Sequence, residues 1–392
     1  MLNYEFLGSG GVCPLPNREL TALYVQHQGT HLLVDCGEST QSAAKKYGIS
    51  FFAIDAILIT HLHADHILGL PGLLASLSNS GREQPLIIYG PNGLNAKLET
   101  MLQLVPQLSF PVKAVELKEG SIIQFPNLKI TCFKLQHGIL CYGYSFETWK
   151  APMYKEDIVK SIGLDKNVVA ALQQGYEVSV DDILLNINTL FGEDRGQLKL
   201  VYATDTGVCQ NLITACANAD VAILDGSYGE ESQRAKTNDS SEDIHMTFEQ
   251  AATVASEANA KHLILTHFSP SLAHPFDYLQ NATSIFPNTV CAFGGLSNEE
   301  TFKEASENKK LPRITVSKEV LKTILMQGRG FVFLPNFLPK DRDICFLTDE
   351  DGHELRCQVI LQDNLQLTNS KGAKRNMPLA YVKSLRLMLN KK

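Results

Sequence analysis

Four residues in a run of six, His61, His63, Asp65 and His66 of HLHADH, carry side chains suited to holding a metal ion. Imidazole nitrogen and carboxylate oxygen are donors that Zn2+ accepts, and a four-coordinate site needs several of them converging on one point. The run follows DAILIT, an apolar stretch that reads as a buried strand. It precedes ILGLPGLLASLS, which reads as a helix with an early proline at Pro71. A loop leaving a strand can aim three histidines and an aspartate inward, free of the alternation a strand imposes. The competing reading, a run of surface histidines, fits poorly between two apolar segments. Three further apolar stretches close on a titratable residue: KITCFKLQH on His137, LKLVYATD on Asp205 and HLILTH on His267. In α/β architectures active sites gather at such strand ends. One strand-end histidine alone is more often structural. Three such residues behind the histidine run are candidates for the further ligands that a dinuclear site needs.

The elements that must position these residues follow from punctuation and period. YEFLG, ALYVQ and HLLVDCG read as strands before the motif, and PLIIYG, IIQFP and DVAILDG as strands after it. Helical candidates are Asn95–Val105, Asp157–Gly163 and Thr247–Ala258. Strands followed by mixed β and α units, twice over, predict two sheets packed face to face with helices outside, an α/β sandwich within residues 1–300. Residues 147–197 hold the only tryptophan, Trp149, and read as an arm inserted between two core strands. Residues 299–313 (EETFKEASENKKLPR) read as a charged helical or flexible linker. Beyond them GFVFLP, DICFLTD, ELRCQVIL and LQLTNS alternate with turn residues, so 311–392 is expected to be a small antiparallel β module.

Composition narrows the classes further. With 44% hydrophobic and 20% charged residues the chain supports a sizeable core. Nine cysteines without a CxxC pair suit reduced thiols better than a disulfide framework. The start, MLNYEFLGSGG, lacks the basic and apolar regions of a signal peptide, and no apolar run approaches the roughly 20 residues of a membrane helix. A cytoplasmic protein with no membrane partner is expected. The net charge of −7 is uneven: residues 311–392 carry 14 Lys and Arg against 8 Asp and Glu, leaving the first 310 residues at −13. An acidic body suits a cation site, whereas affinity for a polyanion comes largely from Lys and Arg. The basic C-terminal module could supply that attraction, or simply be a solvated surface of mixed charge.

HxHxDH with the later strand-end His, Asp and His resembles the metallo-β-lactamase superfamily, and within it the chain is similar to the ribonuclease Z family. The similarity spans about residues 1–290. It includes FLGSGGVCPLPNRELTAL, DCGESTQ, THLHADHILGLPGLL, QHGILCYGYSF, ATDTG, HMTFEQAA and LTHFSPSL. The resemblance implies an αββα sandwich and a zinc-dependent endoribonuclease that trims the 3′ end of precursor tRNA, cytoplasmic and homodimeric. It implies two Zn2+ ions, with Mn2+ an alternative. His61, His63 and His137 would hold one, Asp65, His66 and His267 the other, and Asp205 would bridge them. A hydroxide shared by the two ions would attack the phosphodiester, with Asp65 orienting or deprotonating the attacking water and His245 serving as general acid at the leaving 3′ oxygen. The other reading of His245 is a helix-start histidine beside the N-cap candidate Thr247. Asp35 and Glu38 match the family and would order the metal loop by hydrogen bonds, or else serve as turn residues. In LDGSYGEE, where the family carries a His-Glu-Ala-Thr-like stretch, Asp225 stands as the acidic partner of the catalytic histidine.

The chain departs from the family at the arm. Its tip reads GLDKNVVAALQQG, without the Gly-Pro pair, and Gln173 and Gln174 occupy positions where basic residues are expected. Fewer cations weaken the grip on phosphates. A dinuclear zinc phosphodiesterase acting on a smaller substrate is therefore the alternative function. KGAKRN in the C-terminal module, with Lys371, Lys374 and Arg375, could compensate. A metal-poor RNA-binding scaffold is a third reading, disfavoured because such a protein has no need of seven ligands.

Overall fold

The computed structural model describes residues 1–149 except Pro106, 196–234 and 244–300, together with isolated positions and a short hairpin within 167–184 and six strands between 313 and 387. Two seven-stranded mixed sheets face each other. The first comprises β1 (Leu2–Gly8), β2 (Ala22–His27), β3 (Thr30–Val34), β4 (Ala56–Leu58), β5 (Leu86–Gly90), β6 (Val112–Glu116) and β16 (Ser297–Glu300), with β16 outside β1. The second holds β7 (Ile122–Phe125), β8 (Leu128–Lys134), β9 (Tyr142–Trp149), β12 (Gln197–Ala203), β13 (Val221–Asp225), β14 (Leu263–Thr266) and β15 (Thr289–Cys291). The strands that lead into the histidine run and the strand-end Asp and His are parallel to their neighbours: β3 to β4 to β5, and β12 to β13 to β14.

Alternation along these strands builds three apolar layers. Leu32 and Val34 of β3 and Val221 and Ile223 of β13 point into the space between the sheets, where Tyr4, Phe146 and Tyr202 also pack. The intervening Leu33 packs outward under α1 (Thr40–Tyr47) and α3 (Leu70–Asn79), through Ala43, Leu73 and Leu77. On the other sheet Ala222 and Leu224 pack outward against α5 (Gln210–Cys216) and α7 (Phe248–Glu257). Burial on both faces explains why these strands are continuous apolar runs in the sequence. The αββα sandwich expected from the sequence is the fold.

Several elements differ from the expectations. α4 spans Leu94–Leu102, shorter than the 95–105 helix, whereas α7 closely matches its expected span, with Thr247 closing a capping box with Gln250. The helix expected after the motif is two: α2 (Ala64–Ile67), then α3. β6, β9, β15, β16, α1 and α5 are elements that the sequence pattern does not announce. β8 stops at Lys134, so His137 lies in a loop three residues beyond the strand rather than at its tip. Glu299 and Glu300 belong to β16 and pair with β1, so the segment read as a linker starts inside the sheet. β10 (Ser179–Val180) and β11 (Ile183–Leu184) form a hairpin between β9 and β12, and Trp149 is paired with Gln197, so the chain leaves and re-enters the sheet at one point. The 157–163 helix, Gln173 and Gln174 of the arm tip, and GFVFLP lie outside the described residues. Beyond β16, β17 (Arg313–Val316), β18 (Ile344–Asp349), β19 (Glu354–Leu361), β20 (Gln366–Thr368), β21 (Lys374–Asn376) and β22 (Val382–Leu387) make one sheet. Its β17–β19 pair is parallel, so the sheet is not wholly antiparallel. Cys13, Cys36, Cys132, Cys141, Cys209, Cys216 and Cys291 are free, and all but Cys13 and Cys209 are buried.

Candidate metal centre

The parallel strands of both sheets deliver their C-terminal ends to one place. From β4 the chain runs through Thr60 to His61 and His63, and His63 opens α2, whose first turn carries Asp65 and His66. Asp35 follows β3, Asp205 follows β12 and His267 follows β14. All three adopt the left-handed backbone conformation, at φ 58°, 55° and 61°. For a residue with a Cβ such a conformation is uncommon, and residues held in it cluster at functional sites. Gly11 of the SGG stretch lies flat against the His267 ring, and a Cβ there would collide with three of its atoms.

These turns gather the donors into two groups, and Asp205, His245 and His267 make a third that overlaps them. The donor atoms of His61, His63, His137 and Asp205 lie within 4.8 Å of one another, as do those of Asp65, His66 and His267. His63 Nδ1 is 3.0 Å from His61 Nε2 and 3.2 Å from His137 Nε2. His66 Nε2 is 3.3 Å from His267 Nε2, which is 3.4 Å from Asp65 Oδ2. Asp205 stands between the groups: Oδ1 is 3.8 Å from His61 Nε2, while Oδ2 is 3.1 Å from His66 Nε2 and 3.2 Å from His267 Nε2.

The outer ring nitrogens are occupied, which decides what faces inward. His66 Nδ1 is 2.9 Å from Asp35 Oδ2, His61 Nδ1 is 3.0 Å from Thr60 Oγ1, and His267 Nδ1 is 3.3 Å from Ser227 Oγ. An imidazole that donates through Nδ1 presents a lone pair at Nε2, the arrangement metal-ligating histidines adopt. Asp205 Oδ2 is buried and makes no hydrogen bond, although two imidazole nitrogens stand within hydrogen-bond distance. Burial and the neighbouring His66 hold His61 well below the ordinary imidazole range, so it is neutral. Burial resists ionisation of Asp205, but His267, His66 and His61 outweigh it and keep the carboxyl ionised. Asp65 is likewise held low, against burial, by His267 and His66. At His66 burial disfavours charge, yet Asp205 and Asp35 pull its pKa well above the usual value. Positive charge is therefore favoured at the place where the carboxylates converge, and a cation there would take over from that proton. Donor types, tautomers and the unsatisfied oxygen all fit a divalent metal ion.

His245 stands beside the donors and is held from behind. Its Nδ1 is 2.9 Å from Asp225 Oδ2 and 3.2 Å from Ser227 Oγ. The ring stacks on His267 with centroids 5.5 Å apart and planes at 11°. Asp225, at the end of β13, has no exposed side-chain surface. It also accepts the Asp205 amide at 2.8 Å through Oδ2 and the Ser227 amide at 2.8 Å through Oδ1. Burial opposes its ionisation, but His245 holds its pKa down. One carboxylate thus fixes both the His245 ring and the turn that carries Asp205.

Of the sequence-selected residues, the structure brings His61, His63, Asp65, His66, His137, Asp205, His245 and His267 together, with Asp35 and Asp225 behind them. Glu38 is different. It is exposed in the turn before α1, with its side chain apart from this cluster. His27 is buried in β2 and His31 bonds the Tyr24 hydroxyl, away from the donors. The sequence reading missed Thr60, whose hydroxyl joins Asp35 to His61, as well as Ser227 and the Val12 amide, which donates to Asp65 Oδ2 at 2.6 Å. Hydroxyls and main-chain amides carry no distinctive spacing, so nothing local could have marked them.

Comparison with known proteins bears on the family and the fold. Residues 2–184 match the family described as Anti-Pycsar protein Apyc1, and residues 185–268 match a β-lactamase superfamily domain. A ribonuclease Z of Lachnospira eligens is 38% identical over 78% of this chain and 99% of its own length. That of Clostridioides difficile is 36% identical over 78% of this chain and 100% of its own. Among solved structures, human tRNase Z, short form, superposes with a TM-score of 0.52 at 25% identity, covering 76% of this chain and 98% of that one. The metallo-β-lactamase fold protein YhfI of Bacillus subtilis gives 0.54 at 20% identity, covering 76% and 99%, a likeness of fold. On the strength of its curated relatives, the chain belongs to the ribonuclease Z family of the metallo-β-lactamase superfamily.

Proposed function

We propose that this protein is a metal-dependent endoribonuclease that processes the 3′ end of precursor tRNA, working with two Zn2+ ions, for which Mn2+ could substitute. The observation that carries the reading is Asp205, whose two oxygens face two separate donor groups while His245 stands alongside. Family membership supports the substrate. His61, His63 and His137 would hold one ion, Asp65, His66 and His267 the other, and Asp205 both. When bound, the pair would supply a water that is nucleophilic at neutral pH and offset charge on the phosphate oxygens.

The chain's own residues complete the chemistry. Asp65, fixed by the Val12 amide, would orient the attacking water or take its proton. His245 donates to Asp225 through Nδ1, so it can deliver a proton from Nε2 only as an imidazolium. The buried Asp225 carboxylate favours that charged form. Proton delivery to the departing ribose oxygen leaves a 3′ hydroxyl on the tRNA and a 5′ phosphate on the trailer. Residues 1–300 would form the catalytic domain with 147–197 as its arm, and 311–392 a basic accessory module. The protein would act as a cytoplasmic homodimer.

A smaller phosphodiester is the second reading, favoured by Gln173 and Gln174 where basic residues are expected on the arm. Purified, metal-loaded protein incubated with a precursor tRNA and with a small chromogenic phosphodiester separates the two. A single cut at the 3′ end of the tRNA is expected. Turnover of the small diester alone would replace the tRNA reading by the second.

A further inference from the structure

The segment that presents His245 is held at its side chain by Asp225 and also at its main chain. After α6 (Glu231–Arg234) the chain passes through residues 235–243 and returns at Ile244, where His245, Met246 and Thr247 run into α7. Met246 and Thr247 are zipped onto Tyr228: the Tyr228 amide donates to the Met246 carbonyl at 3.3 Å, and the Phe248 amide to the Tyr228 carbonyl at 2.9 Å. His245 itself has a different anchor. Arg234 Nη2 donates to the His245 carbonyl at 2.6 Å and to Gln250 Oε1 at 2.8 Å. The same Gln250 oxygen accepts the Thr247 amide at 3.0 Å, as part of the capping box that starts α7. The guanidinium lies over the Tyr228 ring, 5.8 Å from its centroid, and Glu231 Oε1 is 3.6 Å from its Nε.

We propose that Arg234 is a positioning residue for the general acid: through the His245 carbonyl and the α7 cap it locks the main chain on which the His245 imidazole pivots. The inference rests on the reading of His245 as general acid. A planar guanidinium presents its donors in a fixed fork, which the point charge of lysine does not reproduce. Asp225 sets the direction of the Nδ1–H bond. Arg234 sets where the ring stands along it. Misplacing a catalytic group by about 1 Å can cost on the order of a hundredfold in rate, so ten- to a hundredfold is the range expected for loss of this anchor. The loss should fall on proton delivery and leave metal binding untouched, because the Arg234 hydrogen bonds described above go to a main-chain carbonyl and to Gln250.

The test uses Arg234→Gln, Arg234→Lys, His245→Ala and the Arg234→Gln/His245→Ala double variant in the metal-loaded full chain. Each is assayed on a phenyl and a 4-nitrophenyl phosphodiester, so that tRNA recognition plays no part. Phenolate leaves poorly and needs the acid, whereas nitrophenolate does not. Expected are unchanged metal content, a kcat loss on the phenyl ester well above that on the nitrophenyl ester for both Arg234 variants, little change in KM, and no further loss when Arg234→Gln is added to His245→Ala. Selective loss in His245→Ala with none in the Arg234 variants would overturn the role of Arg234 alone. Absence of selective loss in His245→Ala would overturn the general-acid reading and this inference with it. A loss in Arg234→Gln that is equal on both esters, or that adds to His245→Ala, would mark Arg234 as merely structural.

Discussion

At the scale of single residues, the two donor groups differ in what each member holds. Asp205 faces both, with Oδ1 toward His61 and Oδ2 toward His66 and His267, whereas His63 belongs to one group only. Asp205→Ala should therefore deplete both ions and cost more turnover than His63→Ala, which should weaken one ion first. Elemental analysis of the two variants beside the parent checks this, and an Asp205→Ala protein with two ions and near-normal turnover would remove Asp205 from the bridge. His245→Ala is expected to keep both ions and lose about 10²–10⁴-fold on precursor tRNA, with a smaller loss on a nitrophenyl diester. Equal losses on the two substrates would argue against an acid role. The donors were legible because histidine and aspartate crowded into one loop, or ending an apolar run, are unusual. Their supports were not. Asp225 reaches His245 across 20 positions and Thr60 reaches Asp35 across 25, and such contacts exist only once the tertiary fold is in place.

At the scale of elements, the strands whose two faces are both buried were the readable ones, since β3, β4, β13 and β14 carry the unbroken apolar runs LLV, AIL, VAIL and LIL. β6 reads VKAVE and is half-buried at the rim, and β16 reads SNEE, so neither carries an apolar signature, and pairing with β5 and β1 decides their state. α1 was hidden because TQSAAKKY has few large apolar residues and packs through Ala43, Ala44 and Tyr47. β2 ends on His27, whose ring is buried, with Nδ1 donating to the Met1 carbonyl at 2.7 Å and Nε2 left without a partner. Burial pushes its pKa down to about 4, against the pull of that carbonyl. The unfolded chain, with an imidazole near 6.5, then binds more protons than the folded one between these values. Stability is full above about pH 6.5 and falls as pH drops toward 4. Urea unfolding at pH 7 and pH 5 should show a smaller drop for His27→Gln than for the parent, because loss of metal at low pH affects both alike. Identical drops would show that His27 does not titrate in this way.

At the scale of the whole molecule, the question is how an acidic body holds a polyanion. The first 310 residues carry a net −13 and the remaining 82 a net +6. The curated relatives are matched over nearly their full length yet over only 78% of this chain, so roughly a fifth of it has no counterpart in them. β21 (Lys374–Asn376) carries Lys374 and Arg375 into the sheet formed by β17 to β22, so part of the basic KGAKRN cluster sits on a paired strand. If that module grips tRNA, truncation near Leu311 removes phosphate-binding cations while sparing every metal donor, all of which precede residue 268. It also spares β16, which pairs with β1 and must be kept for the first sheet to stay closed at that edge. Each cation withdrawn from a phosphate lowers the slope of log affinity against log salt by about one unit, so the truncated protein should bind precursor tRNA more weakly and with a flatter salt dependence. Turnover of a small phosphodiester should persist. A module that instead covers apolar surface predicts another outcome: the truncated protein would unfold more easily and lose both activities together. Unchanged tRNA binding in a stable truncated protein would take the module out of recognition and place the grip on the arm, whose cations include Lys155, Lys160 and Lys166.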